Sequence, residues 1–248
     1  RQKISFSHQP TVGACRMTES AKLKARAIKR IVRGNLFYRK GEFGNAMQFY
    51  NQAIQDNPKN AIGWNNKGLI LEKTGKYLEA IKCYNRALKL RLDYSDAWVN
   101  KGVVLFRMGK INKALRSFER ALDANPEHEI AWLNKGRLLA RAGRYEEALD
   151  CFDCALQIDD SYVAAWNNKG AAVMKLGRWD EAVKSYNNVL KERPDFVMAW
   201  FQKGRALKEL GKTENAIYCF EKALSVDPKF SRAKEALEEA KAVSGSEE

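Results

Sequence analysis

The chain is poor in the residues from which catalytic and metal sites are usually assembled. Only two histidines occur in 248 residues, His8 and His128, and no Ser-His-Asp set, phosphate loop or metal-ligand cluster is visible. We therefore expect neither an enzyme nor a cofactor. No run of about 18 apolar residues exists, which excludes a membrane-spanning helix of ordinary length. The stretch from Arg1 to Arg16 has cations but no apolar core, so it does not read as a secretory signal. Acidic residues are outnumbered, 30 against 44 basic ones, for a net charge of +14. Cysteine is scarce and odd in number: Cys15, Cys83, Cys151, Cys154 and Cys219. An odd count argues against a disulfide framework and for a reducing, cytoplasmic setting. Cys151 and Cys154 form a CxxC, the spacing of redox and zinc sites, but they lie inside a helical pattern without a second Cys or His pair, which favours a structural role.

What the chain has in abundance is repetition. Trp64-Asn65-Asn66-Lys67-Gly68 returns as Trp98 to Gly102, Trp132 to Gly136, Trp166 to Gly170 and Trp200 to Gly204, with the Trp, the Lys and the Gly always in place. A period that strict marks a repeat array. Placing the Trp fourth defines units 27–60, 61–94, 95–128, 129–162, 163–196 and 197–230, the first of them degenerate. Gly41, Gly75, Gly109, Gly143, Gly177 and Gly211 hold place 15, where Gly ends one helix and allows the turn into the next. The second helix carries Ala at place 20, an aromatic at place 24 (Tyr50, Tyr84, Phe118, Phe152, Tyr186, Phe220) and a small residue at place 27. Pro58, Pro126, Pro194 and Pro228 stop it at place 32, whereas Leu92 and Asp160 leave two units to end by other means. Cys83, Cys151 and Cys219 share place 23 with Ser117 and Ser185, which predicts a small buried side chain there. Residues 1–17 read as an irregular arm or a remnant of production, 18–26 as a helical lead-in, 231–243 as a capping helix and 244–248 as a tail.

The pattern resembles the tetratricopeptide repeat family, as in Trp98, Gly102, Leu105, Ala114, Phe118, Ala121 and Pro126. One departure is the cation at place 7, Arg33, Lys67, Lys101, Lys135, Lys169 and Lys203, where the family has Leu. Its stem is expected to cover the Trp ring while its ammonium reaches water. The resemblance implies an all-α, right-handed superhelical solenoid of antiparallel helix pairs, with the first helix of each unit lining the concave face.

On a helical wheel, places 2, 5, 6, 9, 12 and 13 of the first helix face away from the packed sectors. They hold an amide row of Asn66, Asn100, Asn134, Asn168 and Gln202. Around it lie apolar Ile62, Leu69, Val99, Val103, Phe106, Ile130, Leu133, Met174, Met198 and Phe201, with Arg137 and a basic edge that includes Arg107 and Arg141. The row resembles the asparagine rows of repeat domains in glycosyltransferases and motor light chains, which implies peptide-backbone binding; the amides could instead satisfy neighbouring helices. The expected function is a scaffold holding an extended or helical protein segment, with acidic residues and apolar anchors, in the concave groove. The chaperone-tail clamp of the family is not met, because its basic places hold Ile31, Asp96 and Asn100. A second class of partner is nucleic acid or another polyanion: residues 1–94 carry 19 basic against 6 acidic residues.

Overall fold

The computed structural model describes residues 18–244, which hold thirteen helices and no strand. The first helices of the six units are α1 (Glu19–Arg39), α3 (Ala61–Lys73), α5 (Ser95–Arg107), α7 (Glu129–Arg141), α9 (Val163–Lys175) and α11 (Val197–Glu209). The second helices are α2 (Phe43–Asp56), α4 (Tyr77–Leu90), α6 (Ile111–Ala124), α8 (Tyr145–Ile158), α10 (Trp179–Glu192) and α12 (Thr213–Val226). Helix α13 (Ser231–Ser244) closes the order. The lead-in expected over 18–26 is continuous with the first unit, because α1 runs for 21 residues from a Thr18 cap whose Oγ1 accepts the Ala21 N–H at 3.2 Å. The expected arm, and with it Cys15 and His8, lies outside the described residues, as does the tail beyond Ser244.

Each unit is closed by one contact. The aromatic of the second helix lies flat against the glycine at place 8 of the first: a methyl group added at Gly102 would sit 2.5 Å from Phe118 Cε1, and the Gly68–Tyr84 and Gly204–Phe220 pairs repeat that distance. All six of these aromatics are buried, so the pair of helices meets around a ring where any other residue would hold them apart. The turn between them follows from Gly75, whose φ of +76° allows the Lys76 N–H to reach back to the Leu71 carbonyl at 2.8 Å. The other five turns repeat this bond.

Units are joined by the tryptophan. Trp64 Nε1 donates to the Pro58 carbonyl at 3.0 Å, and Trp132 and Trp200 donate to those of Pro126 and Pro194, both at 2.8 Å. Where proline is missing, Trp98 and Trp166 make the same bond to Leu92 and Asp160 at 2.9 and 2.7 Å. This accounts for α4 and α8 ending in register with the proline-stopped helices: the anchored carbonyl, and in one case Asp159 Oδ1 accepting the Ser161 N–H at 3.0 Å, sets the stop. The place-7 lysines do more than cover the indoles. Their ammonium groups sit over the rings, from 4.8 Å at Lys101 on Trp98 to 5.8 Å at Lys67 on Trp64. Place 23 is buried in all five units from the second to the sixth, with Ser117 and Ser185 donating to carbonyls one turn back at 2.9 and 2.8 Å.

Consecutive first helices approach closely, α1 with α3, α3 with α5, α5 with α7 and α7 with α9, whereas the backbones of consecutive second helices stand farther apart. The first helices therefore line the inner side of the array and the second helices fan out on the outer side. At the far end, α13 buries Ala233 and Ala240 against the last unit and turns charged residues outward.

Two glycines separate contact from propensity. Gly102→Ala is expected to lower stability by about 1–3 kcal/mol through the clash with Phe118. Gly44→Ala, on a helix where an added Cβ meets nothing within 4 Å, should raise it by about 0.5–1 kcal/mol. Urea unfolding of the two variants checks both signs.

Candidate functional site

The inner face is narrower than the helical wheel implies. At about 100° per residue, places 2, 9 and 13 fall within about 40° of each other, and places 5, 6 and 12 flank them. Only the central three reach solvent consistently. Val99, Leu133 and Phe201, expected on the exposed face, are 4%, 6% and 7% exposed and belong to the core. The reason is lateral: place 5 points into the seam where one first helix meets the next, or for Phe201 where α11 meets the cap, a neighbour that a single-helix wheel does not contain. What remains open is a strip with Ile62, Ile130 and Met198 at 40%, 42% and 37% exposure, half-buried Leu69 and Val103, and exposed Arg137 and Arg141. Arg107 is exposed too, but it reaches across to the buried Glu72 at 3.0 Å. The Arg141 guanidinium lies 5.2 Å from the centre of the Phe106 ring.

The amide row divides in two. In the first half the amides bond to each other across units: Asn66 Nδ2 donates to Asn35 Oδ1 at 2.9 Å, Asn65 Nδ2 to Asn66 Oδ1 at 3.2 Å, and Asn100 Nδ2 to Asn65 Oδ1 at 3.0 Å. The Tyr50 hydroxyl donates to the same Asn35 oxygen at 2.7 Å. Asn66 is buried and Asn100 half-buried, so this half stitches first helices together. In the second half the amides stay within their own helix. Asn134 and Asn168 donate to Ile130 and Ala164 carbonyls at 2.8 and 2.7 Å, and Gln202 Oε1 accepts from Arg205 at 3.1 Å.

Beside Asn168 the inner surface opens into a cavity of about 550 Å³. Asn167 and Asn168 on α9 form its floor, Tyr162 and Asp159 come from the connection before α9, and Phe196 and Arg193 from the connection before α11. Among the described residues Asn167 makes no side-chain hydrogen bond, which leaves a whole amide turned to the cavity. Two amides between aromatic walls can pair with the N–H and C=O of an extended chain and take up one apolar side chain. The sequence reading missed Asn167, Tyr162 and Phe196. Asn167 carried a signal, since place 5 otherwise holds Ile31, Val99, Leu133 and Phe201, with Asn65 the other polar exception. The connection residues carried none, because their convergence depends on the stacking of units.

The chemistry of titratable groups is quiet. Burial pushes the Cys151 thiol up to about 11 and raises Cys154 as well, which disfavours the thiolate that redox or zinc chemistry needs. Cys83, Cys151, Cys154 and Cys219 are free thiols, and among the described residues no group of three or more His, Cys, Asp or Glu side chains is placed to hold a metal.

Family models described as tetratricopeptide repeat or TPR repeat match residues 34–75, 60–127, 99–163, 163–196 and 197–230. The chain belongs to the tetratricopeptide repeat family. A search of curated proteins finds no match. Among solved structures, the array is similar to YrrB, described as a TPR protein with an unusual peptide-binding site, at 24% identity and a TM-score of 0.64 over 75% of this chain and 96% of that one. It is similar to PilF of Pseudomonas aeruginosa at 14% identity and a TM-score of 0.78, over 88% and 99% of the two chains. Cut9 in its APC/C hetero-tetramer with Hcn1 gives 18% identity and 0.71, over 89% of this chain and 45% of that one. At such identities the likeness establishes the tetratricopeptide solenoid and nothing finer. The repeats support a protein-interaction scaffold. No helix among the described residues is long and apolar enough to cross a membrane.

The division of the amide row predicts a division of effects. Asn66→Ala, which leaves the buried Asn65 Nδ2 without its acceptor and takes one of two donors from Asn35 Oδ1, should cost about 1–2 kcal/mol, whereas Asn168→Ala should stay within about 0.5 kcal/mol; thermal melts compare them. A pH test addresses the same cluster. Burial raises the Tyr50 phenol to about 12, above the value of about 10 in an unfolded chain. The folded state thus holds this proton more tightly, so the contribution is full below pH about 10 and is lost as pH rises to about 12. Tyr50→Phe should make the alkaline decline of stability shallower over that window without abolishing it, since burial raises Tyr84 and Tyr186 too.

Proposed function

We propose that the chain is a non-catalytic scaffold that holds an extended segment of a partner protein along its concave strip, seated most deeply at Asn167 and Asn168. The observation that carries this reading is the cavity beside α9, where amides face an open volume between Tyr162 and Phe196. Towards the earlier units, Ile130, Val103 and Ile62 offer apolar contacts, and Arg141 and Arg137 favour acidic residues. The description of YrrB as a peptide-binding protein is consistent with such a use of the fold. In the first three units the amides are already engaged, and Asn134 is as buried as Asn66, so backbone recognition falls to Asn167, Asn168 and Gln202, and the segment's contact with Asn66, Asn100 and Asn134 is slight. The chaperone-tail clamp stays disfavoured on its residues.

The polyanion reading draws on the cations of α1, where Arg26, Lys29, Arg30 and Arg33 border a cavity of about 540 Å³. Two of them are spent: Arg26 and Arg30 both pair with Asp56, at 2.8 and 2.7 Å. It ranks second for that reason.

Selection of a random peptide library on the purified array tests the first reading. Enriched peptides should carry acidic residues around apolar anchors, and should lose about tenfold in affinity, roughly 1.4 kcal/mol, on the Asn167→Ala/Asn168→Ala double variant while its melt is unchanged. Peptides that bind this variant and Ile130→Lys as tightly as the parent would remove the concave strip from consideration.

A further inference from the structure

A second surface stands out because the array supplies its own comparison. On the outer side, the cation at place 16 in each of the last three units finds a carboxylate at place 19 of its own unit or place 18 of the unit before, and Lys76 of the second unit has Glu79 at place 19 without pairing to it. Arg144 pairs with Glu147 at 2.5 Å, and Arg178 with both Glu181 at 2.7 Å and Glu146 of the preceding unit at 3.1 Å. Lys212 approaches Asp180 of the preceding unit at 3.6 Å. In the third unit the cation is Lys110, and both partner places are changed: place 19 is Lys113, and place 18 of the unit before is Leu78.

These residues border one cavity of about 400 Å³, together with Arg116, Arg120 and the stacked pair of Lys101 and Trp98. Among the described residues none of its five cations lies within ion-pair distance of a carboxylate. The corresponding cavity of the fifth unit, bordered by Trp166, Lys169 and Lys184, keeps Glu181 in its wall. Leu78 is 64% exposed, and with Ile81 and the Trp98 ring it gives the third-unit cavity an apolar side. Five like charges around an apolar patch repel one another unless counter-charge arrives from outside.

We propose that this outer face of the third unit is a binding site for an acidic peptide segment that supplies the missing carboxylates to Lys110, Lys113, Arg116 and Arg120 and lays an apolar side chain against Leu78 and Trp98. The spacing of the cations sets the size. From Lys110 to Arg120 along α6 is about 15 Å at about 1.5 Å per residue, the reach of some four or five extended residues at about 3.3 Å each. The apolar side selects a peptide over a bare anion, which would leave Leu78 and Trp98 uncovered. This site is separate from the concave strip and stands whether or not that strip binds a peptide.

The array also supplies substitutions that its own units already carry. Lys113→Glu installs the residue that the second, fourth and fifth units already carry at place 19, and Leu78→Glu installs the acid that the fourth and sixth units carry at place 18. A fluorescent synthetic peptide of repeating Glu-Glu-Leu is the probe, read by anisotropy against the full chain. It should bind the parent with an affinity that falls as salt rises and weaken by about tenfold or more on each variant; the binding that these variants remove should be intact on Asn167→Ala/Asn168→Ala, and anything lost there belongs to the concave strip. A poly-Glu peptide of the same length should bind more weakly for want of the leucine. The proposal is overturned if the Glu-Glu-Leu peptide fails to bind the parent, if it binds both variants undiminished, or if single-stranded RNA binds in its place and is the ligand that Lys113→Glu expels.

Discussion

Everything in this array hangs on a ring resting on a glycine. The aromatic at place 24 lies where a Cβ at place 8 would be, within 2.5–2.9 Å of it in all six units, so the separation of the two helices in a unit is set by the thickness of an aromatic ring. Ala at places 20 and 27 lets the helices approach on either side of it, and these alanines are fully buried. A tryptophan indole then pins the next unit to the carbonyl that ends the second helix, whether that residue is Pro126, Leu92 or Asp160. One contact fixes the unit and one bond fixes the step between units. The direction in which every inner side chain points follows from the two.

This economy explains how tolerant the remaining places are. Stability in such an array is close to a sum of unit and neighbour terms, and the terms that matter are held by places 4, 8, 15, 20, 24 and 27. The lysine at place 7 belongs with them more closely than its charge suggests, since its ammonium is held over the indole at about the reach of a cation–π contact in five units. Places outside this set are free to differ from unit to unit, and they do.

The helices and their order were legible because their causes lie within one unit: glycine at a turn, an aromatic opposite a glycine, a proline at place 32 in four of the six units. The groove was legible only in part, because its causes lie between units. A wheel drawn for one helix sets Val99, Leu133 and Phe201 towards solvent, and it is the next first helix, or for Phe201 the cap together with Phe230, that covers them. The amide row looked uniform in sequence, yet Asn66 and Asn100 bond across units through Asn35 and Asn65, whereas Asn134 and Asn168 bond within their own turn. The difference comes from Asn35 and Asn65, at places 9 and 5: in the later units place 9 holds Arg137, Ala171 and Arg205, and place 5 holds Leu133 and Phe201 on either side of Asn167, whose amide turns to the cavity instead. Cys151 and Cys154 were read as structural from their place in a helix, and burial accounts for their raised thiols in the same terms.

A repeat array therefore carries two kinds of information, and they are read in opposite ways. Residues that recur describe the architecture, because the same contact must be made six times. Residues that break the recurrence have no such duty, and at those places the chain differs from its own template. Asn167 replaces a buried apolar residue and opens an amide to a cavity. Lys113 and Leu78 replace acids and leave a cluster of cations without carboxylates. The Asn66 amide, by contrast, recurs and is consumed by its neighbours. On physical grounds the exceptions carry more weight than the repeated motif in any account of binding, because an exposed polar group left unpaired by the fold is one that a partner can still pair.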